Sequence, residues 1–179
     1  MNKIIECVPN FSEGRDTAVI RQITDAIEGV RGVRLLDVDP GESTNRTVVT
    51  FVGAPEPVKE AAFRAARKAA ELIDMTQHKG EHPRFGATDV CPFVPVAGAS
   101  MEECAAMARE VGRRIGEELG IPVYLYEHAA SRPERRNLAD VRAGEYEGLE
   151  RRLARPEWQP DFGPAVFNRR TGATAVGAR

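Results

Sequence analysis

An α+β fold, an antiparallel sheet with helices packed on one face, is predicted by three observations. Short β-branched runs at 4–8, 33–38 and 47–52 are each closed by turn residues. Longer stretches between and after them carry apolar residues at helical spacing. The two kinds of segment alternate so that strands gather between successive helices.

Each element has a local reason. Ile4, Ile5 and Val8 make the first strand, which Pro9-Asn10 and Ser12-Glu13-Gly14 are expected to end. Asp16 opens a helix in which Ile20, Ile23, Ile27 and Val30 form one stripe, closed by Gly29 and Gly32. Residues 33–38 read as a strand stopped at Asp39-Pro40-Gly41, and 47–52 is the strongest strand. Glu56-Pro57 introduces a helix to about residue 73, whose face of Val58, Ala62, Ala65, Ala69 and Ile73 allows close approach to a sheet. A loop at 74–86, punctuated by proline and glycine, precedes an apolar strand at 90–96. Met107, Val111, Ile115 and Leu119 mark a third helix at 101–119, capped by Gly120, and 121–126 is the last clear strand.

The order β α β β α β, followed by α β, predicts a ferredoxin-like (split βαβ) sandwich with an additional helix and strand extending the sheet. After residue 130 the pattern turns irregular, with a short helix expected over 144–154, and reads as a wrap-around segment or a connector. Residues 171–179 look like a new strand with nothing after it. Residues 1–160 are taken as one subdomain and 161–179 as a stretch leading out of it.

With 25 basic and 27 acidic residues the formal charge is −2, which lacks the concentrated positive charge that phosphate backbones and membrane surfaces select. No nucleic-acid or membrane partner is expected. No apolar run approaches the roughly 20 residues that span a bilayer. The start of the chain lacks the apolar core of a signal peptide, and Cys7, Cys91 and Cys104 stand apart with no CxxC. A reduced, cytoplasmic domain is expected.

Only three histidines are present, two of them in His78-Lys79-Gly80-Glu81-His82. That H-x-x-E-H spacing grips zinc only when it lies on a helix, and Gly80 and Pro83 argue against one here. The segment reads either as a polar surface loop or as a stiff loop holding a general acid/base histidine. An unperturbed imidazole titrates at about 6.5, so it can take and return a proton near neutrality. Lys79, Glu81 and Arg84 flank it. Cys91 reads as inert core, and His128 as a surface residue. The turn at 12–15 could seat an anion on helix-opening amides or be an ordinary entry turn. Asn45-Arg46 is either a strand cap or an anion contact.

Several separated strings resemble one family. They are Val8-Pro9-Asn10-Phe11-Ser12-Glu13-Gly14-Arg15, Asn45-Arg46-Thr47, Val52-Gly53-Ala54-Pro55, and the loop from His82 through Asp89-Val90-Cys91-Pro92-Phe93-Val94-Pro95. Val123-Tyr124-Leu125-Tyr126-Glu127, Gly144-Glu145-Tyr146-Glu147-Gly148-Leu149, Pro160-Asp161-Phe162-Gly163-Pro164 and the closing 172–179 complete the set. The chain is similar along its whole length to glutamate formimidoyltransferase (formiminotransferase), in the N-terminal half of its transferase unit.

The resemblance implies an enzyme of histidine degradation and one-carbon metabolism. It would move a formimidoyl group from N-formimidoyl-L-glutamate to N5 of tetrahydrofolate, a co-substrate, with no metal expected. His82 falls on the family's catalytic acid/base, and Asp39 on an assisting aspartate. The folate-binding stretch falls on Gly163, Pro164, Ala165, Val166, Phe167, Asn168, Arg169, Arg170, Thr171 and Gly172. Arg46, Arg84 and Lys79 are candidates for substrate carboxylates, as is Arg169. The family's unit continues into a second half that closes over folate, so a C-terminal transferase subdomain or a homo-oligomer partner is expected. An exposed apolar patch is expected where that half would sit. Formyl transfer from 5-formyltetrahydrofolate at the same site, or a non-catalytic folate-binding half of a split enzyme, are the alternatives.

Overall fold

The structure is a computed structural model that describes residues 2–179. Seven strands form one mixed sheet: β1 (Ile4–Cys7), β2 (Asn10–Phe11), β3 (Val33–Gly41), β4 (Arg46–Gly53), β5 (Thr88–Ala97), β6 (Val123–Glu127) and β7 (Thr174–Ala178). Across the sheet run β3, β4, then β1 and β2 end to end, then β5, β7 and β6. The pairings from β3 to β5 are antiparallel, whereas β7 lies parallel to both β5 and β6. Among the described residues five α-helices accompany them: α1 (Thr17–Glu28), α2 (Pro55–Leu72), α3 (Met101–Leu119) and the short α4 (Leu138–Val141) and α5 (Leu149–Leu153). The fold is α+β, as the periodicity predicts. No helix is long and apolar enough to cross a membrane among the described residues.

The helices begin and end where their caps lie. The Asp16 carboxylate accepts the amides of Ala18 and Val19 at 3.0 and 3.3 Å, and Ser100 accepts the amide of Glu103 at 3.1 Å. Gly120 closes α3 in the left-handed region at φ 69°. Alternation along the strands turns Ile5, Cys7, Val49, Phe51, Cys91 and Phe93 toward the helical layer, where they are buried. The opposite face carries a groove of about 430 Å³ whose lining includes Val8, Asn10, Val90, Pro92, Tyr126 and Arg179.

One expectation is refined and one is corrected. β1 ends ahead of Pro9-Asn10, as expected, but the pairing resumes at once. Val49 donates its amide to the Pro9 carbonyl and Val8 donates to that of Pro92, so the ladder is carried over the break into β2. The closing strand does not hang free or leave an apolar patch of its own: β7 is inserted between β5 and β6, and all five of its residues are buried. Its small side chains make that possible, for the ring of Tyr126 occupies the space beside Gly177.

The irregular segment after residue 130 is held by two buried arginines rather than by regular structure. Arg135 lies 5.1 Å from the Tyr124 ring and 5.4 Å from that of Trp158, and pairs with Asp161 at 3.1 Å. Arg152 stacks on Trp158 at 3.7 Å and donates to the carbonyls of Asp140, Val141 and Ala143.

A Cβ at position 177 would come within 2.6 Å of the Tyr126 ring. Gly177→Ala is therefore expected to cost about 1–3 kcal/mol, read as a lowered urea midpoint. An unchanged midpoint would contradict the interior placement of β7.

Candidate active site

The loop that enters β5 is organised by one buried carboxylate. Asp89 is fully buried. Its Oδ1 accepts the amides of Phe85 at 2.6 Å and Gly86 at 3.3 Å, which ties the loop into a compact turn. Its Oδ2 meets Arg46 Nη1 at 2.5 Å and Arg142 Nη2 at 2.9 Å. Arg46 in turn donates from Nε to Asn10 Oδ1 at 3.0 Å. A charge buried this deeply is tolerated because two cations and two amides answer it.

His82 stands on the outer limb of that loop, partly exposed. Its Nδ1 lies 2.6 Å from the carbonyl oxygen of Pro83. A carbonyl can only accept, so Nδ1 carries the hydrogen and Nε2 is left without this partner. His78 has a different role: it is buried, and its Nε2 donates to the Asn45 carbonyl at 2.8 Å. Residues 78–83 form no helix, and the two imidazoles are tied to separate carbonyls. No three His, Cys, Asp or Glu side chains gather as a metal-ligand set among the described residues.

Arg84 packs inward rather than facing solvent. It stacks 4.7 Å from the Tyr146 ring, pairs with Glu147 at 2.8 Å and donates to the His78 carbonyl. Tyr146 links this loop to the closing stretch: its amide donates to the Arg84 carbonyl at 2.7 Å and its hydroxyl to that of Arg169 at 2.6 Å. The Tyr146 ring meets Phe167 at 5.3 Å.

Residues 163–172 run from the end of α3 to the His82 loop. Gly163 packs against Gly116 and the Ile121 carbonyl, Pro164, Ala165 and Val166 are exposed, and Arg170 donates to the Glu71 carbonyl at the end of α2. Asn168 accepts the Thr171 amide, and Gly172 bridges to Gly86. At φ 64°, with the Phe85 carbonyl 2.3 Å from where a Cβ would stand, position 172 requires glycine. The structure therefore brings the end of the 163–172 stretch against the His82 loop.

The remaining candidates are spread more widely. Asp39 is exposed on the edge strand β3, in register with Val48, which itself pairs with Asn10. Lys79 is exposed and has no ion-pair partner among the described residues. At 12–16 the chain's own groups answer the helix-opening amides, with Glu13 and Asp16 accepting them, so the turn is an entry turn. Cys91 lies 3.7 Å from Cys7, and burial pushes the Cys7 thiol well above its ordinary range. His128 is exposed at the end of β6. Sequence reasoning passed over Asp89, Arg142 and Tyr146. A carboxylate opening an apolar strand was a usable signal for Asp89, whereas nothing local marked the other two.

Fold and loop together define an α+β domain that presents one imidazole from a braced turn. Over residues 4–179 the sequence matches the model of the formiminotransferase domain, N-terminal subdomain, and the chain belongs to that family. It is 60% identical over 179 residues to formimidoyltransferase-cyclodeaminase of Gallus gallus, covering 100% of this chain and 33% of that protein. It is 50% identical to glutamate formimidoyltransferase of Streptococcus pyogenes serotype M1, covering 100% of this chain and 60% of the relative. The corresponding Thermoplasma acidophilum enzyme is 51% identical, over 98% and 58% respectively. The chain thus spans a third to three fifths of the length of these relatives.

Burial, and secondarily the Arg84 guanidinium, hold the His78 imidazole below its ordinary titration range. The folded state keeps the ring neutral where the unfolded chain protonates it. Its contribution to stability is therefore complete above about pH 6.5 and is lost as pH falls below that value. Urea denaturation at about pH 7.5 and about pH 5, on either side of the free imidazole value, is expected to show this loss, and His78→Gln to flatten it. An equal slope in both proteins would contradict the buried neutral ring.

Proposed function

We propose that this chain is the catalytic N-terminal half of a glutamate formimidoyltransferase, acting in the cytoplasm in histidine degradation. It would move the formimidoyl group from N-formimidoyl-L-glutamate to N5 of tetrahydrofolate. The single observation that carries the reading is His82, held on a braced loop with Nδ1 bound and Nε2 free. N5 attacks the formimidoyl carbon, and its proton passes to Nε2. The tetrahedral adduct then collapses as Nε2–H delivers that proton to the departing glutamate nitrogen and the C–N bond to glutamate breaks. One imidazole serves both halves and is regenerated.

The contact of residues 171–173 with the His82 loop supports folate binding at 163–172, which would lay the pterin within reach of that imidazole. Of the four cations named for substrate carboxylates, Lys79 has an uncommitted ammonium and Arg169 an exposed guanidinium 3.7 Å from Glu150, while Arg46 and Arg84 are engaged in bracing the loop. Asp39 would act from the neighbouring edge of the open sheet face. The antiparallel order β5, β1, β4, β3, with α1 and α2 beside it, fits a ferredoxin-like half. A C-terminal transferase subdomain would supply the other wall of the cleft.

Glutamate release from formimidoylglutamate and tetrahydrofolate, with the C-terminal part supplied, is the test. His82→Ala is expected to lower kcat by about 10²–10⁴-fold while folate binding persists. Near-normal turnover by the variant would overturn the assignment, and no transfer by the reconstituted wild type would favour a binding half.

A further inference from the structure

The Pro83 carbonyl that receives His82 Nδ1 also receives Arg142 Nη2, at 2.8 Å. That same nitrogen lies 2.9 Å from Asp89 Oδ2, so one –NH2 group bridges the loop carbonyl to the buried carboxylate. Arg142 has little freedom to do otherwise. Its side chain is 16% exposed, and its Nε is buried with no hydrogen-bond partner among the described residues. Its backbone follows Val141, which is fully buried, and caps α4 by donating to the Leu138 carbonyl at 2.9 Å. Arg152 grips the carbonyls of Val141 and Ala143, on either side of it.

We infer that Arg142 is a positioning residue for His82, fixing the Pro83 carbonyl so that the imidazole keeps its hydrogen on Nδ1 and offers a bare Nε2 to the substrate. This rests on the reading of His82 as the acid/base group, but its geometry can be tested without that reading. Asp89 and Arg46 would still hold Phe85 and Gly86 in the absence of Arg142. The Pro83 carbonyl would lose its anchor, while Asp89 Oδ2 would lose one cation and keep the other, Arg46. A ring free to turn spends less time in the productive orientation, which lowers turnover without weakening substrate binding.

Arg142→Met removes both hydrogen bonds and keeps much of the stem, and Arg142→Lys restores a donating cation. In the methionine variant kcat is expected to fall about 10- to 100-fold, with KM for tetrahydrofolate unchanged. The ¹⁵N spectrum of the neutral His82 ring should move from the Nδ1–H form toward the Nε2–H form. The lysine variant should recover both readouts to within about threefold. An unmoved tautomer in Arg142→Met, or a folded lysine variant that recovers neither readout, would overturn the inference. A moved tautomer with wild-type kcat would instead sink the catalytic role of His82. If the methionine variant does not fold, the wild type and lysine proteins decide: Nδ1-protonated rings in both uphold the inference, and an Nε2-protonated ring in either overturns it.

Discussion

A single carboxylate, Asp89, is the fixed point on which the candidate site depends. It is buried at the start of β5, between the sheet and the loop that carries His82, and it is met by two guanidinium groups and two backbone amides. Such an arrangement adds little net stability over an apolar replacement, because desolvation offsets most of the Coulomb gain. What it supplies is uniqueness. Removing one member of a buried pair costs about 3–5 kcal/mol, so other arrangements of the loop that leave the charge unanswered are heavily disfavoured.

The rest of the molecule serves to deliver those partners. Arg46 arrives at the first residue of β4, beside Asn10 of β2. Arg142 arrives from the end of α4, which Arg152 and the stacked Tyr124, Trp158 and Arg135 secure against the sheet. Tyr146 and Gly172 bring the closing stretch to the same loop before the chain re-enters the sheet as β7. Three distant parts of the sequence thus converge on one turn. That convergence gives an exposed imidazole a defined orientation without a helix or strand of its own.

Much of this was legible in the sequence because it is local. Asp16, Ser100 and Gly120 cap their helices, and the alternation in 47–52 survives intact in β4. The stiffness of the loop that carries His82 was visible in its neighbours, since Pro83 and the punctuating glycines promised a fixed turn. What could not be read were decisions made by long-range pairing. Residues 174–178 carry too few large side chains to announce an interior strand, yet smallness is what lets them lie beneath the Tyr126 ring. The roles of Arg142 and Arg152 were equally hidden, because an irregular segment has no period that points a side chain anywhere.

The central claim, that the Asp89 carboxylate locks the His82 loop to the sheet, is tested most directly by amide hydrogen exchange at Phe85 and Gly86. Both amides are expected to exchange slowly and only together with the opening of β5, and to lose that protection in Asp89→Asn. Exchange in the wild type at the rate of an unprotected loop would contradict it.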